Sequence, residues 1–245
     1  MKQLSLWLPI RSIAFLLVFA ACAGILGKGL SEAGSWWSIV ALILNVLTIL
    51  LLVFLAKRNG QSYWQLINFQ KGKTTWLQIL GVTLLLFVVV ISGTYLAGFL
   101  CYRNFQYVPP VMLVPQPKVL AIINLVLLPV TTVLAEDGLY LGCGVNQIKN
   151  KYAAIFVPAF FYALQHCFIP TLPDGRYMVY RFIATLPFTL ILCWYYYRKR
   201  NPLPVMVGHF FSQSASGNTN GGNFFYGGGA IENDFGYKYL AINCL

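Results

Sequence analysis

The sequence predicts an all-α integral membrane protein of about seven transmembrane helices with a polar site at mid-membrane depth. Three observations carry this reading. First, 58% of the 245 residues are hydrophobic and only 9% are charged, against about 25% charged in an ordinary soluble domain. Second, the lysines and arginines sit between the apolar runs rather than on one face. The net charge of +11 is therefore the signature of membrane flanks, and nucleic acid is not an expected partner. Third, two of the six acidic residues, Glu136 and Asp137, and both histidines, His166 and His209, fall inside apolar runs. An ionisable group there costs about 2.5–3.5 kcal/mol on insertion scales and marks a functional site by default.

The spans follow in order. Ser12–Leu26 comes after Lys2 and Arg11 and reads as an uncleaved first helix, because more spans follow. Trp36–Ala56 stops at Lys57 and Arg58, and the half-polar linker Gln61–Lys73 is expected to lie in the headgroup region. Trp76–Leu100 is the third span. The proline-rich crossing from Val108 to Pro117 cannot be helical throughout. Val119–Gly144 carries Pro129 and the acidic pair, Tyr152–Phe168 ends near His166, and Phe182–Tyr197 closes at Arg198-Lys199-Arg200. The last span, Leu203–Ser216, is short for a lipid-facing helix, which needs about 17–25 residues; a protein or wet surround would accommodate it. Residues 1–216 thus form the membrane domain, and the Gly/Asn-rich segment 217–245 is expected to be a flexible tail. The six cysteines lack zinc-type or CxxC spacing and read as small apolar residues.

With the N-terminus inside, inner segments hold 11 lysines and arginines, Arg11 among them, against 6 outside. That asymmetry places the tail outside. Glu136 lies 14 residues before Asn150 and His166 lies 16 after it. At about 1.5 Å per residue, a hairpin brings the two to one level, about 20 Å from the turn. His209 and Gln213, 9 and 13 residues past Arg200, share one helix face, and Gln213 reaches a similar depth. Two chemistries fit this convergence. Glu136 and His166 polarise a water while His209 and Gln213 donate to an oxyanion; alternatively His166, His209 and Glu136 ligate zinc, for which no HExxH motif is present.

At these residues the chain resembles the CPBP family, the CAAX-protease and bacteriocin-processing membrane proteins also called Abi. The family pattern is Glu-Glu-x-x-x-Arg, Phe-x-x-x-His and His-x-x-x-Asn on three helices. Its counterparts here are Glu136 to Leu141, Tyr162 to His166 and His209 to Gln213, within a core of about 119–216. The resemblance implies an intramembrane endopeptidase of the bacterial cytoplasmic membrane acting on a peptide or membrane-anchored protein. It implies no cofactor: Glu136 and His166 activate water, and His209 and residue 213 serve as oxyanion donors. Three positions depart from the pattern: Asp137 replaces the second glutamate, Gln213 the asparagine, and Leu141 the arginine. Lacking that arginine, Asp137 is expected to be neutral or paired elsewhere, and Asp137→Asn to be mild. A degenerate member serving as a bacteriocin immunity or binding protein is the alternative.

Overall fold

A computed structural model of the chain describes residues 4–27, 29, 37–107, 126–169 and 174–213. A 3-10 turn, Leu4–Trp7, leads into α1 (Ile10–Leu26), and α2 spans Trp37–Arg58. The one-turn helix α3 (Tyr63–Leu66) precedes α4 (Trp76–Tyr102). α5 is Val126–Val145; α6 is Lys151–Gln165, prolonged by a 3-10 turn, His166–Phe168; α7 is Gly175–Lys199. α8 covers residues 203–213. Among the described residues there is no strand. The proline-rich crossing, residues 119–125 and 214–216, and the 217–245 tail lie outside the described residues.

Local chemistry sets the helix ends. Ser62 with Gln65 and Thr75 with Gln78 form capping boxes at the starts of α3 and α4. Asn150 and Asp174 cap α6 and α7 through their side chains. Five helices are long and apolar enough to cross a bilayer: Leu4–Ile25, α2, α4, α5 and α7. The expected seven spans thus become five of spanning length and two shorter helices, α6 and α8. In α8, Pro204, Val205, Met206, Gly208, His209 and Ser212 are buried, so this short helix lies among protein neighbours.

The apolar outer surface fits lipid. Ile43, Leu47 and Phe54 on α2 and Leu84, Val88 and Ile91 on α4 are exposed. In water such faces would be an aggregation liability; in a bilayer they need no cover. The protein is a multi-pass membrane protein built around α5. Of the α5 span 72% is buried, whereas the other four spans range from 17% to 44%.

The linker Gln61–Lys73 packs inward against α5. Trp64 is exposed, but Leu66 and Ile67 are buried beneath α5. The Tyr63 hydroxyl donates to the Leu134 carbonyl at 2.6 Å, and Asn146 Nδ2 donates to the Leu66 carbonyl at 2.9 Å. The apolar residues 66 and 67 pack against α5, and the polar linker groups bond to backbone that the helices leave open.

Glycines on α5 bring its neighbours close. A Cβ at Gly138 would stand 2.7 Å from Leu52 Cδ1 on α2 and 2.8 Å from the Tyr63 hydroxyl. A Cβ at Gly144 would stand 2.7 Å from Cγ of Pro158, a rigid ring on α6. Small residues at such crossings are what bilayer helix packing relies on. Gly144→Ala is therefore expected to force α5 and α6 apart and to destabilise the fold by about 1–3 kcal/mol, read as a lower thermal midpoint in detergent. An unchanged midpoint would contradict this close crossing.

Candidate active site

The acidic pair sits where α5 changes its winding. Residues Val133–Val145 form a π-helix, and the bond from Asn146 N to the Leu141 carbonyl, 3.0 Å, keeps the same i to i+5 spacing. Widened turns of this type occur mostly at functional sites. Within this turn Glu136 and Asp137, adjacent in sequence, reach different partners. Both are buried, with 4% and 0% exposure.

Asp137 meets the third motif. Its Oδ1 accepts from the Tyr162 hydroxyl at 3.1 Å and lies 3.3 Å from His209 Nδ1. Tyr162 OH is itself 3.1 Å from the same His209 nitrogen. The cation absent at residue 141 thus leaves Asp137 paired with His209, so it is not isolated. The Tyr162 ring has both histidine rings near it: centroid distances are 6.0 Å to His166 and 6.1 Å to His209. His166 Nδ1 lies 2.9 Å from the Tyr162 carbonyl, which can only accept. Nδ1 therefore carries the proton, and in the neutral ring Nε2 is the free acceptor.

Glu136 meets α1. Arg11 Nη2 donates to Glu136 Oε1 at 3.1 Å. The same guanidinium donates to Gln165 Oε1 at 2.7 Å, Thr48 Oγ1 at 3.0 Å and Asn45 Oδ1 at 2.8 Å. Asn45 in turn donates to Thr131 and Thr132 on α5, and the Tyr140 hydroxyl donates to Gln165 Oε1. Arg11 was read from the sequence as a flanking inner charge; it is 2% exposed and belongs to the site. The signal for it was weak, since Arg11 lies at the edge of its apolar run, where snorkelling to the surface is the ordinary behaviour. Asn45, in the middle of the second span, was the clearer hint. Tyr162 entered only as the aromatic of its motif.

Of the sequence-predicted residues, Glu136, Asp137 and His209 are electrostatic neighbours. His166 has Arg181 as its nearest electrostatic neighbour, with His209 and Arg11 beyond it. Gln213 is half-buried one helical turn beyond His209. Glu136 Oε2 and Asp137 Oδ2 are buried and accept from no protein donor among the described residues. They are the acceptors available to a water or to a substrate N–H. Among the described residues no three histidine, cysteine or acidic side chains are grouped as a metal would require, so the zinc set His166, His209 and Glu136 has no assembled geometry.

Fold and site together define an all-α membrane protein with a buried carboxylate–histidine centre shared by α5, α6 and α8. Residues 118–215 match the family model described as Rce1-like, type II CAAX prenyl endopeptidase Rce1-like. This stretch holds all three motifs, and its similarity to the CAAX-protease family agrees with the resemblance read from them. The family so described is one of proteases. No curated protein and no solved structure matches the chain.

The shared hydroxyl can be tested against a control. Tyr162→Phe leaves Asp137 and His209 buried with one partner fewer and is expected to cost about 1–3 kcal/mol. Tyr177 is also buried, but its hydroxyl has no partner among the described residues, so Tyr177→Phe should be neutral or slightly stabilising. Equal thermal midpoints for the two variants would argue against the Asp137–Tyr162–His209 cluster.

Proposed function

We propose that this protein is an intramembrane endopeptidase that hydrolyses a peptide bond in a peptide or membrane-anchored protein by direct attack of water. The observation that carries the reading is the pair of adjacent buried carboxylates, each with one unpartnered oxygen, with His209 against Asp137 and all of them inside the family-matched stretch. Glu136 Oε2 takes a proton from water, with His166 Nε2 as the second acceptor that orients it. The hydroxide adds to the scissile carbonyl. His209, held by Asp137 and Tyr162 through Nδ1, presents Nε2–H to the developing oxyanion, and the Gln213 amide is the second donor. As the tetrahedral intermediate collapses, the proton held by Glu136 passes to the leaving amine. Nothing in the sequence favours a prenylated substrate.

In this scheme Asp137 sets the charge and orientation of His209, so the mild effect expected for Asp137→Asn from the sequence gives way to a larger one. Glu136→Gln is expected to lower turnover of a membrane-peptide library in proteoliposomes by about 10²–10⁴, and Asp137→Asn by about 10-fold or more. A chelator should leave cleavage unchanged. Loss of cleavage on chelation with recovery on zinc would replace this mechanism by a metal-assisted one.

Leu141 and Gln213, which depart from the family pattern, favour one second reading, a bacteriocin immunity or binding protein. Cells protected from a peptide toxin equally by wild type and Glu136→Gln, with no cleavage by either, would establish it. The proposed orientation keeps the N-terminus inside. With the buried Arg11 left out, the inner count of lysine and arginine is ten against six. Reporter fusions at Lys57 and Lys149 should read cytoplasmic and one at Asp174 external; an external reading at Lys149 would reverse the topology.

A further inference from the structure

Arg11 lies outside the family-matched stretch 118–215, on a helix that contributes none of the three motifs. It is nevertheless among the largest wholly buried side chains of the protein. A guanidinium has five N–H donors, and the four contacts of Arg11 engage three helices: Asn45 and Thr48 on α2, Glu136 on α5 and Gln165 on α6. Its carbon also lies 5.4 Å from the centroid of Phe15, one turn along α1. Gln165 immediately precedes His166, and Asn45 bonds to Thr131 and Thr132, one turn before Glu136. The side chain is thus fixed from several directions, and through it the Glu136 carboxylate is held against rotation: Oε1 is taken and Oε2 remains. Leu141, in contrast, is wholly buried in the apolar core.

We propose that Arg11 is the positioning residue of the Glu136 carboxylate. It supplies a cation to Glu136 from α1, and its hold on Oε1 aims Oε2 at the reacting water. This inference rests on the endopeptidase reading above. It makes α1 a working part of the site rather than an anchor. A planar fork suits the task because it grips several acceptors at fixed angles, which an ammonium cannot do.

Two measurements test it. The first needs no activity. Thermal midpoints in detergent are compared for wild type, Arg11→Met, Glu136→Gln and Arg11→Met/Glu136→Gln. Breaking one side of a buried pair strands the other, so the double variant should lose less than the sum of the single losses. Strictly additive losses overturn the proposal. The second uses the peptide best cleaved by wild type in proteoliposomes. Arg11→Met is expected to lower kcat by about 10²-fold, the scale of a misplaced reacting group, with KM little changed. Arg11→Lys, which keeps the charge without the fork, should fall between, about 10-fold down; it carries the test if Arg11→Met does not fold. A merely structural part for Arg11 would reduce the folded fraction but leave kcat per folded molecule intact. Wild-type kcat in Arg11→Lys or in folded Arg11→Met, with Glu136→Gln inactive, overturns the proposal and leaves the endopeptidase reading standing. Full turnover by Glu136→Gln sinks that reading instead, and with it any catalytic part for Arg11.

Discussion

A charge inside a bilayer has no water to stabilise it, so the same molecule must supply every partner it needs. In this protein that requirement falls on two adjacent carboxylates, and much of the architecture follows from it. Glu136 draws in α1 through Arg11, and Arg11 draws in α2 and α6 through Asn45, Thr48 and Gln165. Asp137 draws in α6 through Tyr162 and α8 through His209. Four helices are gathered around α5 by polar contacts as well as by packing. The protein's central helix is thus the one that carries the buried carboxylates.

The widened winding of α5 allows two neighbouring residues to serve two separate networks. Its irregular backbone also needs support, which comes from an unexpected quarter. The linker between α2 and α4 folds inward, and the Tyr63 hydroxyl bonds to the Leu134 carbonyl two residues before Glu136. Gly138, next to Asp137, leaves the room that Tyr63 and Leu52 occupy. Backbone of this kind is tolerated at membrane depth when protein surrounds it, and the high burial of α5 provides that surround.

Two histidines, two roles and one tyrosine connect the site to chemistry. A backbone carbonyl fixes the tautomer of His166, and a carboxylate holds His209. Two identical side chains thereby meet different partners at Nδ1, a carbonyl for His166 and a carboxylate for His209. Residues 118–215, which hold both histidines and both carboxylates, are the stretch that matches an endopeptidase family model. Arg11, outside that stretch, provides a buried cation to Glu136.

The sequence by itself determined the class of fold and which ionisable residues would lie within the apolar helices. Apolar runs long enough to span, with cations between them, leave few alternatives to a helical membrane protein, because an unsatisfied backbone cannot lie in lipid. Glu136, Asp137, His166 and His209 were legible for the same reason, as ionisable groups where none should be. Helical rise alone placed three of the motifs at one depth. Depth, however, is one coordinate, and the rotation of each helix about its axis is set by packing. That is why pairing by depth set Glu136 beside His166, whereas tertiary structure gave Glu136 to Arg11 and Asp137 to His209. It is also why Arg11, at the edge of its span, read as a surface charge, and why the linker's inward fold and the widened turn of α5 left no mark in the hydrophobic pattern. Only contacts between helices distant in sequence decided them.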